Sequence, residues 1–222
     1  YELCLSLVGS EMCIRDSVAT LVDIEDYEGL VNELKMNNGC TSYSFRQKLS
    51  QNAFSLSAYY DAMVSNWMLD NITGVKPRRF SISAALSQDL RYGENPHQSA
   101  SFFLDEYLQG GIGASNQIQG KKLSYNNIND TDAALELVNE FPQNDGAAAV
   151  IVKHANPCGV GVANSLVEAY RSAFSCDKTS AFGGIVALNR IIDEESAREI
   201  IKVFTEVVIA PDIKEGARKI FS

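Results

Sequence analysis

From Val18 onward the apolar positions fall into blocks of two different periods, and each block predicts an element. "VATLV" (18–22) reads as a short buried strand. "DIEDYEGLVNELKMNNG" (23–39) then reads as a helix, with Asp23 or Asp26 as cap, Leu30 and Leu34 on one face and Gly39 past its end. "TSYSFRQKLSQNAFSLSAYYDAMVSNWML" (41–69) predicts a long helix. Its Leu49, Ala53, Tyr60, Val64 and Trp67 recur at helical spacing, and such a stripe is expected in a core. The Asn, Gly and Pro of "DNITGVKPRRF" (70–80) mark the expected boundary between two domains.

After that boundary, strands and helices alternate. "FSISAAL" and "SFFL" read as strands, with the turn-rich "RYGENPHQSA" between them and the flexible "GGIG" after them. "DTDAALELVNEF" is a helix with Asp130 or Thr131 as cap, and "AAAVIV" a buried strand. "SLVEAYRSAF" is a helix capped by Asn164 or Ser165, and "GGIVAL" a strand. "DEESAREIIKVF" is a helix capped by Asp193, "EVVIA" a strand, and "DIKEGARKIF" a final helix after Pro211. This order predicts an α/β layer architecture.

Charge narrows the partners. A net charge of −9 disfavours a nucleic-acid backbone and leaves a small anionic ligand open, since one site can be positive on an acidic protein. The acidic cluster Asp23, Glu25, Asp26, Glu28 is expected to be a dipole-favoured first helical turn rather than a metal site. Five scattered cysteines without a C-x-x-C pair point to reduced thiols and a cytoplasmic setting, and away from a disulfide framework or zinc. No apolar stretch reaches the roughly 18 residues of a spanning helix. "YELCLSLVGSEMCIRDS" (1–17) shows neither period, lacks a basic leader region, and is read as foreign sequence.

Chemistry concentrates around the two histidines. His97 lies in "LRYGENPHQ" and His154 in "VKHANPCGVG"; each loop carries an Asn-Pro pair that stiffens it. His154 directly follows an apolar strand, where ligand sites of α/β sheets gather. A histidine there can equally be a satisfied structural group. Lys153 beside it would disfavour the imidazolium and leave a neutral base, with the ammonium steadying negative charge; the plainer alternative is a surface lysine. "GVGVAN" (159–164) has G-x-G but no third glycine, a weak dinucleotide signal whose alternative is tight strand–helix packing. Gly183 and Gly184 offer a second close approach to a ligand. Arg91 can bind phosphate and Tyr92 can stack on a base. "HANPCGV" lacks the glutamate and second cysteine of zinc deaminases, so no catalytic metal is expected.

Taken together, "LRYGENPHQ", "LSYNNINDTDAAL", "VKHANPCGVG", "SAFGGIVALNR" and "EVVIAP" resemble the bifunctional purine biosynthesis family. That family joins an inosine monophosphate (IMP) cyclohydrolase to a transformylase acting on 5-aminoimidazole-4-carboxamide ribonucleotide (AICAR). The resemblance implies that residues 18–79 are the C-terminal part of the cyclohydrolase domain, with a methylglyoxal-synthase-like fold. Residues 80–222 would be the first, cytidine-deaminase-like unit of the transformylase domain, a fold the family uses without zinc. The family's lysine–histidine pair falls on Lys153 and His154, with His154 as proton acceptor. Substrate-binding positions fall on Arg91, Tyr92, His97, Asn127, Asn156 and Gly183. The implied co-substrate is 10-formyltetrahydrofolate and the implied assembly a homodimer. The cyclohydrolase's phosphate loops and catalytic lysine would precede Val18, and the folate-binding part would follow Ser222. Two other readings stay open: a nucleotide-binding fragment without catalysis, and a nucleotide-dependent oxidoreductase built on "GVGVAN".

Overall fold

The computed structural model describes residues 17–72, 76–105 and 110–222. The chain divides into two compact units, residues 1–84 and 85–222. Residues 1–16, and with them nearly all of the segment read as foreign, lie outside the described residues.

Among the described residues of the first unit, α1 (Asp26–Met36) and α2 (Tyr43–Asn71) are helices. Ser42 caps α2 by accepting from Phe45 N, and Gly39 closes α1 at φ 84° with its N–H donating to Leu34 O. Three expectations fail. Residues 18–22 form no strand, because no other described strand in this unit offers them a ladder. Glu25 stands at the cap of α1 without a side-chain bond, since the chain enters through a helical turn in which Asp26 N donates to Asp23 O. The stripe on α2 is only half core: Leu49 and Ala53 are buried, whereas Tyr60 and Trp67 are more than half exposed.

The described residues of the second unit form two sheets. The smaller pairs β1 (Ala85–Asp89) with β2 (Ser101–Leu104), antiparallel, with the polar loop 90–100 between them. The larger has the order β4-β3-β5-β6, with β3 (Ala147–Lys153), β4 (Asn156–Ala163), β5 (Gly184–Leu188) and β6 (Thr205–Ile209). β3 is antiparallel to β4 and β5, and β5 is parallel to β6. Ala147, Ala149 and Ile151 face a core with α4 (Leu166–Cys176), α5 (Glu194–Ile200) and α6 (Glu215–Phe221). Ala148, Val150 and Val152 face a second core with Ala134 and Val138 of α3 (Tyr125–Asn139). Burial on both faces is why β3 reads as an unbroken apolar run.

Caps explain the helix starts. Ser165 and Glu168 form a capping box on α4, and Asp193 accepts from Ser196 N on α5. Helix α3 begins earlier than its apolar pattern suggests. Its cap is Ser124, boxed with Asn127, so Asp130 and Thr131 lie inside the helix. The first strand is also displaced, from residues 80–86 to Ala85–Asp89.

"GVGVAN" is not a loop: Gly159 and Gly161 lie in β4, where added Cβ atoms would overlap the α4 backbone at Ala173 and Ala169. These glycines exist for strand–helix approach, and the dinucleotide reading falls with the loop it required. Gly161→Ala is therefore expected to push α4 off the sheet and destabilise the second unit by about 2–3 kcal/mol in urea unfolding.

Helices α4 and α5 are also latched by charge. Arg171 and Lys202 both donate to Glu199 Oε2, at 2.8 and 2.7 Å, and hold its carboxyl down at about 2 against an ordinary 4.5. A depressed folded pKa stabilises above the unfolded value and is lost as pH falls through the folded one. The stability gap between the native chain and Glu199→Gln should thus narrow steadily between about pH 5 and pH 2, measured by denaturant unfolding across that range.

Candidate functional site

Strand β3 ends at Lys153, and the chain reverses at once into β4 at Asn156. The two residues between, His154 and Ala155, have φ of 54° and 56°. This is the left-handed geometry of a two-residue type I′ hairpin turn. Asp130, in the second turn of α3, braces it: Oδ2 accepts from His154 N at 3.1 Å and Oδ1 from Ala155 N at 2.8 Å. Asn156 Nδ2 donates to His154 O at 2.7 Å. The imidazole itself is exposed.

Lys153 is half-buried, and its Nζ donates to Phe182 O at 2.8 Å. That bond draws the loop before β5 onto the same sheet edge. Gly183 follows at φ 71°, a conformation that calls for glycine although a Cβ would meet only the Phe204 ring at ordinary distance. Its N–H donates to Phe204 O at 2.8 Å. The exposed rings of Phe182 and Phe204 lie 5.6 Å apart beside it. Asp177, just after α4, has its carboxyl held below the ordinary range by the Ser180 hydroxyl and amide, with the Lys153 charge a smaller contributor.

Asn127 is buried at the start of α3. Its Oδ1 accepts from both Ser124 N and Ser124 Oγ at 3.0 Å, while Nδ2 donates to Glu206 on β6. The loop after β1 is tied to the same helix end. Arg91 N donates to Leu123 O at 2.8 Å, Tyr125 N to Tyr92 O at 3.0 Å, and Asn126 Nδ2 to Glu94 O at 3.1 Å. The Arg91 guanidinium lies 4.9 Å from the Tyr92 ring centroid.

The fold thus gathers Lys153, His154, Asn156 and Gly183 at one sheet edge, with Asn127 joined to it through α3 and β6. Arg91 and Tyr92 attach to the start of α3. His97 stays exposed in the turn of its own loop, and no described contact links it to the cluster. Cys158 is no ready nucleophile: burial pushes its thiol up, and Sγ donates to Ile151 O at 3.4 Å. Cys40, Cys158 and Cys176 are free thiols. Among the described residues no three His, Cys, Asp or Glu side chains converge as a metal set, and no helix is long and apolar enough to cross a membrane. Sequence reading missed Asp130 as a brace, Glu206 and the two phenylalanines. Only the αL demand of a two-residue hairpin could have exposed the first.

The α/β unit sets a lysine, a histidine and amides together at one end of its sheet, the region of an α/β fold where ligand sites gather. Residues 15–222 match the family model described as AICARFT/IMPCHase bienzyme, and the chain belongs to that family. It is 56% identical over 205 residues to the bifunctional purine biosynthesis protein PurH of Dinoroseobacter shibae, a match covering 92% of this chain and 39% of that protein. The PurH of Roseobacter denitrificans is 55% identical over the same shares. That of Jannaschia sp. is 53% identical over 233 residues, all of this chain and 44% of its own. The chain therefore spans about two fifths of the length of these relatives.

Asn127→Ala should destabilise the second unit by about 2 kcal/mol, since it removes half of a capping box and a partly buried hydrogen bond to the Glu206 carboxylate. Urea unfolding of the variant against the parent measures this.

Proposed function

We propose that this chain carries the first part of an AICAR transformylase of purine biosynthesis. The formyl group would pass from 10-formyltetrahydrofolate to the 5-amino group of AICAR, and IMP ring closure would belong to the preceding domain. Residues 18–79 are then the end of the methylglyoxal-synthase-like cyclohydrolase domain, and 80–222 the first cytidine-deaminase-like unit. The observation that carries this reading is the Lys153–His154 pair at the end of the doubly buried strand β3.

The chemistry follows from the substrates. The amine of AICAR is conjugated with its ring and is a weak nucleophile. Its nitrogen attacks the formyl carbon and His154 takes the proton it loses. The formyl oxygen becomes negative in the tetrahedral intermediate. Lys153, with one of its three donors held by Phe182 O, has two left to aim at that oxygen. The bond from carbon to the folate nitrogen then breaks, and the imidazolium returns its proton to that nitrogen. Arg91 supports phosphate binding and Tyr92 base stacking, with His97, Asn127, Asn156 and Gly183 as further nucleotide contacts. A homodimer in the cytoplasm is the assembly and setting proposed with this reading. The fragment length favours one second reading, a nucleotide-binding unit that does not turn over without the remaining three fifths of a relative's length.

In a family-length protein carrying this sequence, His154→Ala should lower formyl transfer by about a hundredfold or more and leave AICAR affinity within about threefold. Near-normal turnover would overturn the assignment. Calorimetric titration of the 222-residue chain with AICAR separates the second reading: saturable binding without formyl transfer supports it.

A further inference from the structure

Two adjacent residues other than glycine occupy the left-handed region at the β3–β4 turn, His154 at φ 54° and Ala155 at φ 56°. Each is strained against ordinary backbone, because Cβ crowds the carbonyl there. Asn-Gly or Gly-Gly would make the same hairpin at far less strain. Packing does not account for the choice, because both residues are exposed. The strain must be held; Asn156 Nδ2 bonds the His154 carbonyl from within the hairpin, and one side chain from another element holds the turn amides. The Asp130 carboxylate takes both amides, one on each oxygen, at 3.1 and 2.8 Å. Asp130 has a rigid base: it lies on α3, whose start is closed by the Ser124–Asn127 box and whose Ala134 and Val138 are fully packed against the sheet.

We propose that Asp130 is a positioning residue for His154. Its carboxylate fixes the backbone of the strained turn and so sets the direction from which the imidazole meets the substrate amine. It touches no reacting atom. The inference rests on the reading of His154 as proton acceptor and adds to it the group that orients that acceptor. A misplacement of about 1 Å at a general base lowers turnover steeply while ground-state binding, made by other residues, changes little.

The test uses a family-length protein carrying this sequence. Asp130→Ala is expected to lower kcat for formyl transfer by about tenfold or more with KM for AICAR within about threefold. Amide hydrogen exchange of the peptide covering residues 150–158 should speed up in the same variant. Adding Ala155→Gly should recover part of kcat, about threefold or more, because glycine takes a positive φ without the brace. If Asp130→Ala does not fold, Asp130→Asn is read instead. It keeps the shape and one acceptor, and a kcat loss at unchanged KM is again expected. A kcat within about twofold of the parent in the folded variant, or a loss confined to KM, overturns the positioning role. When His154→Ala is inactive in the same assay, that outcome leaves the transformylase reading standing. Turnover that survives both substitutions overturns the reading and the inference together.

Discussion

The complete burial of β3 on both faces is the constraint from which the candidate site follows. A strand covered by α3 on one side and by α4, α5 and α6 on the other can keep no polar side chain and no unpaired backbone group within its length. Its ladders with β4 and β5 satisfy the backbone. The first residue able to carry charge is the last one, Lys153, and the chain must reverse immediately to supply β4 as an edge partner. Polar chemistry is thereby confined to one short turn at one end of the sheet.

The rest of the site is brought to that turn by packing. Gly159 and Gly161 let α4 lie directly on β4, which fixes where the helix ends and where the chain to β5 begins. That chain returns over the same edge, presents Phe182 O to the Lys153 ammonium, and enters β5 through Gly183. The parallel β5–α5–β6 crossover then sets β6 beside it, so that Glu206 meets Asn127 on the opposite layer. Four segments far apart in sequence are held together by main-chain carbonyls, carboxylates and one ammonium. The carboxylates of Asp130, Asp177 and Glu206 are engaged with N–H and O–H donors, and the Lys153 ammonium keeps two N–H donors beyond its bond to Phe182 O.

Much of the second unit was legible because its signals are local. The apolar run 147–152, the Ser165 and Asp193 caps and the strands after Gly183 and Val203 all depend on a handful of neighbouring residues. The failures have long-range causes. "VATLV" needs a ladder partner to become a strand, and Tyr60 and Trp67 need a layer to cover them; neither is supplied by the described residues of the first unit. "GVGVAN" carries the same letters for a phosphate loop and for a close-packed edge strand, and only the neighbour across the gap decides between them. The lysine–histidine pair could be located from its place after the apolar run, but its turn type could not, since Asn-Pro suggested a stiff loop and the chain makes a two-residue hairpin.

The misplaced start of α3 has the largest consequence. A cap at Asp130 would have used its carboxylate on its own helix and left the β3–β4 turn without a brace. The stronger cap is Ser124, because its hydroxyl and amide pair reciprocally with Asn127 in a box that a lone aspartate does not offer. Starting at Tyr125 places Asp130 about one and a half turns in, where the helix satisfies its own amides and the carboxylate is free to reach sideways. It reaches the two amides that the His154–Ala155 turn exposes. A change of about one and a half helical turns in where a helix begins thus decides whether an acidic side chain closes a helix end or holds a histidine at the edge of the sheet.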